Sequence, residues 1–88
     1  LHQKHLNENL NTGQSQTFTH TGVGEGILIL YTGTIAITNL TLDGTTAINS
    51  SIPITQNPVY LPVEWQSSMS ITINATAGAN VYVFYLGT

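Results

Sequence analysis

From residue 69 the chain reads MSITINA, which places Met69, Ile71, Ile73 and Ala75 on one parity and Ser70, Thr72 and Asn74 on the other. A period of two marks a strand with one buried face. From Val23 onward the chain keeps this character, in segments cut by turn residues at intervals too short for helices. The pattern predicts strands over 26–31, 34–42, 45–49, 52–55, 59–63, 69–75 and 80–86, with a possible short first strand starting near Thr17. Asp43-Gly44 is the strongest hairpin signal, because this pair accepts the positive φ angles of a type I′ turn. Pro58 and Pro62 place the segment 59–63 at a sheet edge, where a missing N–H costs no ladder bond. Seven or eight short strands at this spacing predict an all-β chain folded as a single antiparallel β-sandwich, jelly-roll-like in its winding.

One segment breaks its own rhythm. In TIAITNLTL, residues 34–42, Ile35 and Ile37 are odd while Leu40 and Leu42 are even. A one-residue slip sends later side chains to the opposite face. A β-bulge or corner near Thr38 and Asn39 is expected there, with Ile35 and Ile37 facing one apolar environment and Leu40 and Leu42 another face or sheet.

Residues 1–22 differ from the rest. They hold all three histidines and the only lysine, Lys4, with Leu1, Leu6, Leu10 and Phe18 as the only large apolar groups. Leu6 and Leu10 are spaced for one face of a short helix, which is marginal alone in water. This segment is read as a polar N-terminal arm that orders on a neighbour or on its own domain. The β-sandwich domain is then 23–88.

A chain of 88 residues makes one domain. At this size only about 60% of the unfolded surface is buried on folding, so stability is marginal without an added constraint. The chain has no cysteine and hence no disulfide. It carries one basic and four acidic residues, 6% charged, against roughly 25% in ordinary soluble domains. One cation cannot neutralise a row of phosphates, so nucleic acid is not an expected partner. The same scarcity argues against an anionic membrane surface. No apolar run reaches the roughly 20 residues of a membrane helix.

The residues capable of chemistry are few. His2, His5 and Glu8 recur every third position and would share a helix face able to hold a metal, but on a polar terminal segment the signal is weak, and no metal or cofactor is expected. GVGEG, residues 22–26, resembles a phosphate loop only in composition. A strand follows it where a helix should start, and Glu25 opposes phosphate, so it reads as a bulge or tight turn. His20 is the one base near the β region, and no serine lies in a nucleophile elbow. Any pair of carboxylates for glycoside chemistry would come from Glu25, Asp43 and Glu64. No enzymatic activity is expected. Glu64, Trp65 and Gln66 fall between two strands. An exposed indole flanked by such groups can stack on a sugar, while the plainer reading has Trp65 closing the end of the core. Three N-x-[ST] sequons, at Asn39, Asn49 and Asn74, are no more than a chain this rich in Asn, Ser and Thr produces by chance.

Two strands are apolar on both parities: ILILY, residues 27–31, and VYVFYL, residues 81–86. If Val81, Val83 and Tyr85 face the core, then Tyr82, Phe84 and Leu86 face out, or the reverse. A small sandwich has no second layer to cover the other face, and a contiguous exposed apolar patch marks an interaction site. Ile27, Leu28, Ile29, Leu30, Tyr31, Tyr82, Phe84 and Leu86 are therefore the candidate oligomer interface. The charge deficit agrees, since few charges protect a free monomer from association.

The Gly-led apolar strand in GEGILILYTGT, the LTLDGT hairpin, the SSMSITI strand and the final aromatic strand VYVFYL give the chain its resemblance to small virion proteins of tailed bacteriophages, the β-sandwich units that decorate capsids or form head fibres. That resemblance implies a non-enzymatic cement, decoration or fibre subunit on the outer surface of the virion. It would commonly be a homotrimer, docked on the major capsid protein or another virion protein through a terminal arm. The alternatives are an extracellular lectin-like module, on a phage fibre or on a cell surface, binding glycan through Glu64, Trp65 and Gln66, and a self-assembling surface or pilus subunit.

Overall fold

The computed structural model describes residues 2–87, and for residues 2–6 the backbone alone. Nine strands follow in order: β1 (His2–Leu10), β2 (Ser15–Thr21), β3 (Gly24–Tyr31), β4 (Thr34–Leu42), β5 (Thr45–Ile48), β6 (Ile52–Pro53), β7 (Val59–Trp65), β8 (Ser68–Ala77) and β9 (Ala79–Gly87). They form two antiparallel sheets. The first runs β1-β9-β3-β7, and the second runs β2-β8-β4-β5 with β6 on the same edge of β4 as β5. Apart from the β4-β5-β6 run, every connection crosses from one sheet to the other. This interleaving is the jelly-roll winding, which pairs the two chain ends in neighbouring strands.

The two inner faces make one core. The first sheet contributes Ile27, Ile29, Tyr31, Val59, Trp65, Val81, Val83 and Tyr85, and the second contributes Phe18, Ile35, Ile37, Leu40, Met69, Ile71, Ile73 and Ala75. These are the alternate residues of each strand, as a sandwich packed from two half-buried sheets requires. Among the described residues, no buried side-chain nitrogen or oxygen lacks a hydrogen-bond partner.

The slip in β4 is a bulge, but it does the opposite of what the alternation predicts. Ile37 pairs with Ile73 and Asn39 with Thr72, which leaves Thr38 as the extra residue. Its hydroxyl donates to the Thr72 carbonyl at 3.4 Å. The bulge absorbs the change of parity. Ile35, Ile37 and Leu40 therefore all lie in the same core, with Leu42 packed against it. The bulge also marks where the outer edge of β4 changes partner, from β6 at Ala36 and Ile37 to β5 at Leu40 to Leu42.

The segment 1–22, read as an arm with a helical turn, orders on its own domain as strands. β1 pairs with β9 along its whole length, from His2↔Gly87 to Leu10↔Ala79, and β2 pairs with β8. Both are edge strands. Their ladders are backbone bonds that any side chain permits, and only Leu10, Phe18 and His20 are buried in this region among the described side chains. Few inward apolar anchors make such strands hard to see in sequence. The other expectations of position hold: Asp43-Gly44 is a two-residue turn with both φ angles positive, at 53° and 81°, and β7 with its Pro62 is an edge strand.

Candidate functional site

β3 and β9 are the central strands of the first sheet, so their faces decide what this side of the molecule offers. Ile27, Ile29 and Tyr31 point inward with Val81, Val83 and Tyr85. This corrects three of the eight candidate interface residues: Ile27, Ile29 and Tyr31 are core. Tyr31 is further committed by its hydroxyl, which donates to the Gln56 carbonyl at 2.7 Å. The Asn57 side-chain amide donates to the Tyr31 carbonyl at 2.6 Å. The other five face outward. Leu30 and Leu86 are 37% and 39% exposed, and Leu28, Tyr82 and Phe84 are half-buried among them.

Register assembles these five with a sixth that sequence reasoning missed. Leu28 lies opposite Phe84 on one side and Tyr60 on the other, and Tyr60 is 60% exposed. The signal was present: with Val59 turned inward, period two turns Tyr60 out. Gly26, at φ 74°, is the extra residue where β3 pairs with β9 between Glu25 and Ile27. GVGEG is therefore a bulge, not an anion loop. The Tyr60 ring lies where a side chain at Gly26 would go, and beside it a hollow of about 150 Å³ is lined by Glu25, Leu28, Tyr60, Phe84 and Leu86. Glu25 lies directly opposite Glu64 at its rim. The three acids considered for a carboxylate pair are thus divided. Glu25 and Glu64 come together, exposed and open to solvent, while Asp43 belongs to the hairpin.

Trp65 is no platform for a sugar. It is 0% exposed, in the core cluster. Its indole N–H donates to His20 Nδ1 at 2.9 Å, and its ring meets Tyr85 edge-on at 6.1 Å between centroids. Gly24 makes this possible, because the indole fills the space a side chain there would need. His20, the one base near the β region, lies in the same buried cluster, 4.4 Å from the Tyr85 ring. Glu64 and Gln66, on either side of Trp65, are exposed, but without the indole face they do not form the expected glycan site. The Gln66 N–H is instead bonded to Asp43 at 2.8 Å.

The side chains of His2 and His5 lie outside the described residues, so the spacing with Glu8 has no geometry to report. Among the described residues, no three His, Asp or Glu side chains gather in a way that could hold a metal. No protein-family model and no curated protein sequence matches the chain.

Proposed function

We propose that this protein is a non-enzymatic structural subunit that works inside a larger assembly, held there by the outer face of the β1-β9-β3-β7 sheet. One observation carries the reading: the two central strands of that sheet turn Leu28, Leu30, Tyr82, Phe84 and Leu86 outward, and Tyr60 extends the row onto β7. The outer side of the second sheet supplies a contrast. Its cross-strand rows are Thr17 with Thr72, Thr19 with Ser70 and Thr41 with Ser70, the polar surface a solvated sheet normally has. An apolar row on one sheet alone is the pattern of a covered face.

The assembly we favour is a virion, with the protein as a capsid decoration or head-fibre subunit, trimeric and docked on a capsid protein. The resemblance of the strand segments to small tailed-phage virion proteins supports this, and so does the jelly-roll winding, which is frequent in capsid domains. That winding serves many functions and by itself names none.

Sedimentation at micromolar concentration tests the first part. The protein should show no major monomer, and Leu30→Glu with Tyr82→Glu should give a folded monomer. A stable wild-type monomer would overturn self-association through this face. Electron microscopy of purified particles tests the second part, and absence of the protein from the capsid surface would overturn it.

A further inference from the structure

The outer face of the first sheet has an acidic end, and its chemistry specifies a partner. This inference rests on the reading of that face as a docking surface. We propose that the Glu25–Glu64 end accepts an arginine side chain of a second protein, flanked there by apolar residues.

Acids are scarce in this chain, four among 88 residues, yet two of them stand directly opposite each other on neighbouring strands. Side chains in that relation have Cβ atoms about 5 Å apart, and like charges so placed destabilise the sheet. A chain with so few charges has ample room to separate them. Among the described residues, neither carboxylate has a hydrogen-bond or ion-pair partner. Such a pair is unfavourable unless a cation is set between the two groups.

The surroundings choose the cation. A second hollow, reaching Pro62, Val63 and Glu64, adjoins the first and shares Glu25, Gly26, Tyr60 and Leu86 with it. An arginine stem packs on such apolar walls, its guanidinium lies over an aromatic face, and its planar fork reaches two carboxylates at once. A lysine would pack its stem there too, but its compact, strongly hydrated ammonium has no planar fork to span two carboxylates, and a metal ion gains nothing from Tyr60 and Leu86. The occupant is not another copy of this chain, because the chain has a single basic residue and a net charge of −3. The self-association proposed above therefore belongs to the Leu30 and Tyr82 part of the face, and the acidic end to a different protein.

The test uses the whole chain, isotope-labelled, titrated at low salt with acetyl-Leu-Arg-Leu-amide and with the same peptide carrying neutral citrulline. The arginine peptide should shift the amide signals of Glu25, Gly26, Tyr60 and Glu64 saturably. The citrulline peptide should bind about fivefold more weakly, the scale of one partly exposed ion pair. Glu25→Gln with Glu64→Gln should abolish the preference, and Glu64→Gln alone should melt no lower than wild type at low salt. Equal binding of the two peptides, shifts on another face, or a preference that survives in the double variant would overturn the proposal. A methyl glycoside that shifts these signals while the arginine peptide does not would assign the hollow to sugar and also overturn it. Loss of peptide discrimination with self-association intact removes this inference alone, whereas sedimentation as a monomer removes the oligomer contact.

Discussion

Asp43 shows how much one residue of this chain carries. With Gly44 it makes the hairpin turn, and its carboxylate also accepts the backbone N–H groups of Gln66, Ser67 and Ser68 and the Ser67 hydroxyl, at 2.6 to 3.1 Å. The β4–β5 hairpin is thereby fastened to the β7–β8 turn. The backbone donors of Gln66, Ser67 and Ser68 favour the charged form and lower the carboxyl pKa from 3.8 to about 2. A depressed folded-state value means that this stabilisation is complete above the ordinary carboxylate pKa and is lost as pH falls through about 2. Melting temperatures between pH 5 and pH 2 should fall, and Asp43→Asn should flatten that part of the profile while keeping a residue tolerant of positive φ. Two glycines set a graded comparison. Gly44, at φ 81°, has open space where a side chain would go, so Gly44→Val costs backbone strain alone, about 1–3 kcal/mol. Gly33, at φ 80°, faces the Gly78 carbonyl, so even Gly33→Ala adds a backbone clash and should lower the melting temperature more. At the core, Trp65→Ala removes a fully buried indole and strands the His20 acceptor, a loss of about 3–5 kcal/mol by urea denaturation. Wild-type Trp65 fluorescence should resist acrylamide, and ready quenching would contradict its burial.

Among the elements, β4 is the one whose sequence and structure teach most. The odd-even change between Ile37 and Leu40 was legible, and so was a bulge at that place. Its consequence was not, because a slip in parity describes an unbroken strand, and the bulge at Thr38 is what removes the slip. The effect of a deletion reverses accordingly. Without Thr38, Ile35, Ile37, Leu40 and Leu42 fall in one phase, and the ladder to β8 runs unbroken from Ile35 to Leu42. The variant should fold, at a cost of about 1–2 kcal/mol from the altered edge to β5 and β6. One residue inserted after Thr38 also gives the four side chains one parity, but it moves Leu40 and Leu42 out of register with Ile71 and Met69 of β8 unless a second extra residue bulges out, and it should unfold or aggregate the protein. Thermal melts of both variants check this, and equal stabilities would show that β4 is insensitive to register. β1 is the opposite case. Its sequence shows no strand alternation, so it reads as an arm, while its backbone completes the first sheet beside β9.

For the whole molecule, β1 has a direct consequence. A chain begun at residue 12 should lose stability and solubility, because the edge of apolar β9 is then open to other chains. An unchanged melting temperature would show that the segment is an accessory arm after all. The sequence alone determined that the protein is a β-sandwich, where its strands from β3 onward lie, the Asp43-Gly44 turn and the edge position of β7. Each follows from local rules: period two, the positive φ of a hairpin turn, and the missing N–H of proline. It also determined that β3 and β9 each have a second apolar face, since both parities of ILILY and VYVFYL are apolar. Only the tertiary structure decided which parity is core, because that choice depends on where the opposite sheet lies. Pairing likewise brought Tyr60 beside Leu28 and Glu25 opposite Glu64, residues 32 and 39 positions apart in the chain. It also buried the Trp65 indole, through a glycine 41 positions earlier and a histidine 45 earlier. Alternation reports which side chains share a face of one strand. Which strands lie side by side is settled by the winding of the whole chain.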